Sequence, residues 1–122
     1  MSSNYLNIGW IGVDLDGTLA HYDSWNGIEH IGEPIVPMLE YVKSLVAKNI
    51  EVRIFTARVT CDWKEEDILV IRIIQDWLEK HGLPRLAVTN AKDFQMRFLI
   101  DDRAVAVETN TGKPVLGALP YL

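Results

Sequence analysis

The sequence predicts an α/β domain built on a parallel sheet with helices on its faces. Short apolar runs of strand length alternate with longer stretches whose apolar residues recur at helical spacing. The order is strand, helix, strand, helix, strand, strand. The first run, Ile8 to Val13, is apolar throughout, as a strand buried on both faces is. At 122 residues the chain is long enough for a real core and short enough to be a single domain, 1–122.

The first strand ends abruptly in Asp14-Leu15-Asp16-Gly17-Thr18. Ala20 to Gly32 has no helical period and reads as a loop or short hairpin beside that strand end, with His21, Tyr22, Trp25 and His30 among polar residues. The two histidines read as structural or solvent-facing. Ile35, Met38, Leu39, Val42, Leu45 and Val46 form a helical stripe, with Pro37 in the first turn and Asn49 as the stop. Ile50 to Phe55 is a second strand, ending in Thr56-Ala57-Arg58. Asp62 and Glu65 have capping-box spacing and open a helix that runs to about Lys80. Its stripe is Ile68, Ile71, Ile74 and Leu78, and Gly82 and Pro84 end it. Glu65, Glu66 and Asp67 suit the positive end of that helix and need no metal to explain them. Leu86 to Thr89 and Phe98 to Ile100 are further strands, separated by the polar turn Asn90-Ala91-Lys92-Asp93. Ala104 to Val107 is expected as one more short strand. The tail 109–122 is irregular, and its Val115, Leu116, Leu119 and Leu122 are expected to pack on the domain or on a neighbour.

Composition narrows the function classes. A formal net charge of -5 disfavours a broad nucleic-acid-gripping face but leaves action on a nucleic-acid end open. The one cysteine, Cys61, permits no internal disulfide and no cysteine-only zinc site, which fits a reducing compartment. No apolar segment approaches membrane-spanning length, and Met1 to Asn7 is too polar for a signal peptide. The expectation is a cytoplasmic protein with no membrane partner.

In a parallel sheet the carboxyl ends of the strands share one edge, where such folds place their sites. That edge gathers Asp14, Asp16, Thr56, Lys92, Asp101 and Asp102. Carboxylates with a hydroxyl and a lysine suit Mg2+-assisted phosphoryl chemistry, because Mg2+ takes oxygen ligands and offsets repulsion between a carboxylate and an anionic substrate. Each piece alone has a plainer reading: Asp16-Gly17 as turn chemistry, Thr56 as a turn residue, Arg58 as a surface charge.

Taken in order, Asp14-Leu15-Asp16-Gly17-Thr18, Thr56, Lys92 and Asp101-Asp102 resemble the four motifs of the haloacid dehalogenase (HAD) superfamily. The resemblance spans Ile8 to about Val107. Its specific part is the DxDGT motif after an apolar strand; the threonine and lysine inform through their order. The resemblance implies a three-layer Rossmann-like fold with helices on both faces of the sheet. It implies Asp14 as a nucleophile forming an aspartyl-phosphate, and Asp16 as general acid and then base. An Asp at that second position resembles the phosphatase branch. Thr56 would bind the transferring phosphate, and Lys92 would neutralise it and steady Asp14. Mg2+ would sit on the Asp14 carboxylate, the Asp16 backbone carbonyl and Asp101, with Asp102 a ligand directly or through water. Arg58 and Arg103 lie outside the motifs and are candidates for contacting substrate.

Family members often carry a cap domain, and neither Ala20 to Gly32 nor Val59 to Thr89 has room for one. A capless member implies an open site and a phosphorylated substrate, either a small molecule or something large such as a nucleic-acid end. The missing cap and apolar tail are compatible with a homo-oligomer. The alternative, from another class, is a catalytically weak phosphate- or metal-binding interaction module of the same fold. A response-regulator receiver is disfavoured because no acid ends the second strand and an acidic pair follows the lysine. Two-metal nuclease chemistry would use the acids and have no need of the Thr and Lys.

Overall fold

The computed structural model describes residues 9–60 and 65–115. Ile8, Cys61, the Asp62 half of the expected capping box, and Leu116, Leu119 and Leu122 of the tail lie outside the described residues. The element order is β1 (Trp10–Asp14), α1 (Val36–Ala47), β2 (Glu51–Phe55), α2 (Glu65–Lys80), β3 (Ala87–Thr89) and β4 (Met96–Ile100). The four strands form one sheet in the order β3-β2-β1-β4, and every neighbouring pair is parallel. This is the α/β, Rossmann-like class that the sequence predicts.

From β1 to β2 to β3 the chain steps sideways in one direction, so right-handed crossovers carry α1 and α2 over the same face. Register puts Ile11 beside Val52, Val13 beside Ile54, and Ile54 beside Val88 on that face. They share one core cluster with Leu39, Val42 and Leu45 of α1 and Val70, Ile74, Trp77 and Leu78 of α2. The ends of both helices follow their sequence signals. Asn49 adopts a left-handed φ of 61° after α1, and its N–H donates to the carbonyl of Val46. Gly82 has φ 87° after α2, with Leu83 N–H bonded back to the Leu78 carbonyl.

Helices are expected on both faces, but among the described residues no helix covers the reverse face, where Phe55, Thr89 and Leu99 stay half-buried. Trp10 has no exposed surface there. Its indole N–H donates to Asp93 Oδ1 at 2.9 Å, and the Arg53 guanidinium lies over the ring at 4.4 Å. Gly12 makes the room: a Cβ on it would lie 3.1 Å from the Trp10 ring and 3.2 Å from Leu99.

Ala104 to Val107 does not form a strand of the sheet. Asp101 Oδ1 accepts the Arg103 N–H at 2.8 Å and turns the chain away from β4. Val107 instead pairs antiparallel with Pro114, closed by Glu108 N–H to the Lys113 carbonyl and Val115 N–H to the Ala106 carbonyl. Asn110 (φ 64°) and Gly112 (φ 77°) allow the tight return between them. Local pairing therefore takes up backbone groups that a further strand would have offered to the sheet.

Trp10→Ala is expected to destabilise the domain by about 3–5 kcal/mol, because it removes a fully buried aromatic and leaves Arg53 and Asp93 without its ring and N–H. Urea unfolding followed by circular dichroism measures it.

Candidate active site

β1 delivers Asp14 to the carboxyl edge of the sheet, and the turn after it folds back at once. Thr18, Leu19 and Ala20 each donate a backbone N–H to the Leu15 carbonyl, and Gly17 N–H reaches the Ala20 carbonyl. Gly17 has φ 92°, and a Cβ there would lie 2.5 Å from an Asp102 oxygen, so both conformation and space demand glycine. β1 and β4 are neighbours, which brings the Asp101-Asp102 end of β4 beside that turn.

Thr18 joins the two ends. Its buried hydroxyl lies 3.1 Å from Asp14 Oδ2 and 3.2 Å from Asp102 Oδ1, and it accepts the Asp102 N–H at 2.9 Å. Carboxylate oxygens of Asp14, Asp101 and Asp102 all lie within 4.8 Å of one another. The electrostatic consequence falls on Asp14. Burial first, then the Asp102 hydrogen bond and the Asp101 charge, push its pKa from the ordinary 3.8 up to about 7. Such an oxygen-only donor set, with one carboxyl forced to keep its proton for want of a positive charge, fits a hard divalent cation such as Mg2+.

β2 delivers Thr56 to the same edge, 2% exposed, with its hydroxyl accepting the Arg58 N–H at 3.1 Å. Arg58 turns inward across the cleft. Its Nε and Nη2 donate to the two Asp16 oxygens at 2.8 Å each. The same guanidinium reaches the carbonyls of Ile28 and His30 and lies 4.9 Å from the centre of the Trp25 ring. It thus ties the loop after β1 to the site. That loop, expected as a loop or short hairpin, is closed at its base by antiparallel pairing: His21 N–H bonds to the Glu33 carbonyl and Ile35 N–H to the Leu19 carbonyl. The Trp77 indole of α2 holds its base through the Gly32 carbonyl.

These groups line a cleft of about 780 Å3 that holds Asp14, Asp101 and Asp102 together with the apolar or aromatic side chains of Tyr22, Trp25, Ile28 and Phe55. Thr56, Arg58, Asn90 and Arg103 complete much of the rest. Asp14, Asp16, Thr56, Arg58, Asp101 and Asp102 are therefore brought together as the sequence suggests. The Asp16 carboxylate, however, is taken by Arg58 and stands outside the acidic cluster, which leaves only its backbone carbonyl for a metal.

Lys92 is not brought to this cleft. The β3–β4 connection contains no helix and crosses the reverse face directly. By Asp93 the chain has reached Trp10, at the amino end of β1. Lys92 is exposed on the way down, and the residue of that turn at the cleft is Asn90, whose side chain donates to the Val59 carbonyl. The bridging role of Thr18 was not read from the sequence, although its DxDGT setting was the available signal. His21 and His30 are exposed, and the first pairs with Asp23. Asp67 caps the approach to α2 by accepting the Thr60 N–H at 3.0 Å, so this buried acid is structural.

No family model matches the chain, and no curated protein matches it. A solved structure of a conserved protein coded by a locus of Bacteroides thetaiotaomicron is similar at 24% identity, over 81% of this chain and 79% of that one, with a TM-score of 0.56. That likeness shows the fold. No described helix is long and apolar enough to cross a membrane.

The raised pKa of Asp14 has a signed consequence. The unfolded chain releases this proton near pH 3.8 and the folded chain near 7, so stability is lost as pH rises across that interval. In EDTA, Asp14→Asn is expected to be more stable than the native chain at pH 8, by about 1 kcal/mol or more after allowing for solvent screening at a half-buried group. The difference should vanish near pH 4. Paired denaturation curves at the two pH values check it.

Proposed function

We propose that this chain is an Mg2+-dependent phosphohydrolase of the HAD type, cleaving phosphomonoesters through an aspartyl-phosphate on Asp14. The observation that supports this reading most is the convergence of Asp14, Asp101 and Asp102 within 4.8 Å at the carboxyl edge of a parallel sheet, beside the buried Thr56 hydroxyl. Asp101 also accepts the Arg103 N–H and Asp102 is tied to Thr18, yet the cluster still raises the pKa of Asp14, as a site awaiting a positive charge would.

The residues divide the chemistry as follows. Asp14, ionised, attacks phosphorus, and the bond from phosphorus to the leaving oxygen breaks. Asp16 supplies that oxygen with its proton, then takes a proton from water as the water attacks the aspartyl-phosphate and releases Asp14 and phosphate. Thr56 would hold a phosphoryl oxygen. Mg2+, held by Asp14, Asp101 and Asp102, would supply the positive charge that lets an anionic nucleophile meet an anionic substrate. Tyr22, Trp25, Ile28 and Phe55 offer an apolar wall to the organic part of the substrate, a small phosphorylated molecule or a nucleic-acid end.

One observation favours the second reading, a phosphate- or metal-binding module with little catalysis. Both Asp16 oxygens are occupied by Arg58, and proton transfer requires their release. Turnover separates the two. Hydrolysis of p-nitrophenyl phosphate is expected to need Mg2+ and to fall by at least about 10³-fold in Asp14→Asn, with Asp16→Asn losing on the order of 10²–10⁴-fold. Turnover that survives Asp14→Asn would refute the nucleophile assignment.

A further inference from the structure

We propose that Arg58 is the phosphate clamp of this site, and that phosphate and the Asp16 carboxylate exchange on the same guanidinium fork. The proposal rests on the phosphohydrolase reading for its ligand and goes beyond it in assigning how the acid/base residue is released. With Lys92 outside the cleft, Arg58 is, among the described residues, the cation most deeply set in it: its side chain is 5% exposed and that of Asp16 20%. The two parallel N–H bonds to Asp16, each 2.8 Å, are the geometry in which a guanidinium also grips two phosphate oxygens. Thr56 and Arg58 leave the same strand end, and the Thr56 hydroxyl fixes the Arg58 backbone N–H, so a phosphate held by Thr56 lies next to the fork.

The exchange has two consequences. Asp16 regains free oxygens only when phosphate takes its place, so the acid/base group is liberated by the arrival of the group it serves. The 21–33 loop is also tied to this event, because the guanidinium that changes partner is bonded to the Ile28 and His30 carbonyls and stacked near Trp25. Arg58 is in this sense both a binding residue and a positioning residue for Asp16.

The test is a double-mutant cycle on binding of inorganic phosphate in the presence of Mg2+, measured calorimetrically on native, Asp16→Asn, Arg58→Gln and the double variant. Removing a competitor from the fork predicts that Asp16→Asn tightens phosphate by about tenfold when Arg58 is present, and by less than about twofold when it is Gln. Removing a nearby negative charge without exchange would give the same gain in both backgrounds, and that result overturns the proposal. Absence of phosphate binding by all four chains overturns it too. If Arg58→Gln does not fold, Arg58→Lys replaces it, keeping charge without the fork, and the expected gain falls to about threefold. As an independent readout, amide exchange in 21–33 should quicken in the Arg58 variant while β1 and α1 stay protected; unchanged loop exchange contradicts the tie. The hydrolase reading fails separately. Phosphate binding that follows the cycle without turnover of any phosphomonoester leaves the clamp standing and removes catalysis, whereas Asp14-dependent turnover with equal gains does the reverse.

Discussion

Three carboxylates can approach one another at the end of β1 because Thr18 stands between two of them. Its hydroxyl touches Asp14 and Asp102 and its oxygen takes the Asp102 N–H, so the turn after β1 and the end of β4 are fastened together by one side chain. Gly17 is the matching constraint, since any side chain there would strike the Asp102 carboxylate. The fastening fixes where the charges sit and does nothing to neutralise them. Asp14 answers by holding its proton to about pH 7, a state that a divalent cation would reverse.

The rest of the fold sets how open that corner is. Both described helices pack on one face of the sheet through Leu39, Val42, Leu45, Val70, Ile74, Trp77 and Leu78, while Ile68 of the expected α2 stripe is exposed; the 21–33 loop shares the cleft at the strand ends with Val59, Glu66 and Arg103. That loop is held at its base by Trp77 and at its middle by Arg58. The 21–33 loop and the Asp16 carboxylate are therefore linked through one guanidinium.

Much of this was legible in the sequence where local chemistry and tertiary packing agree. The helix stops at Asn49 and Gly82 lie where left-handed residues are needed, and each strand overlaps its apolar run, although β4 starts at Met96, two residues before the expected Phe98. The site residues on β1, β2 and β4 were legible because a parallel sheet sends all its carboxyl ends to one edge. Lys92 was not, because residue order along the chain says nothing of how steeply a connection descends, and this one has no helix to delay it. Ala104 to Val107 misled for a related reason: its apolar pattern suits a strand, but the pairing partner it finds is Pro114, a few residues on. The Arg58–Asp16 pair joins residues far apart in sequence, and only the fold reveals that the two candidates for substrate and proton chemistry hold each other.

Phosphoryl chemistry at this edge requires that the acidic corner take a divalent cation. The most direct measurement is the melting temperature at pH 8 with and without Mg2+, for the native chain and for Asp101→Asn. A cation shared by Asp14, Asp101 and Asp102 predicts that saturating Mg2+ raises the native melting temperature by about 3 °C or more, with most of that gain lost in the variant. An unchanged native melting temperature across millimolar Mg2+, or an equal gain in Asp101→Asn, would contradict it.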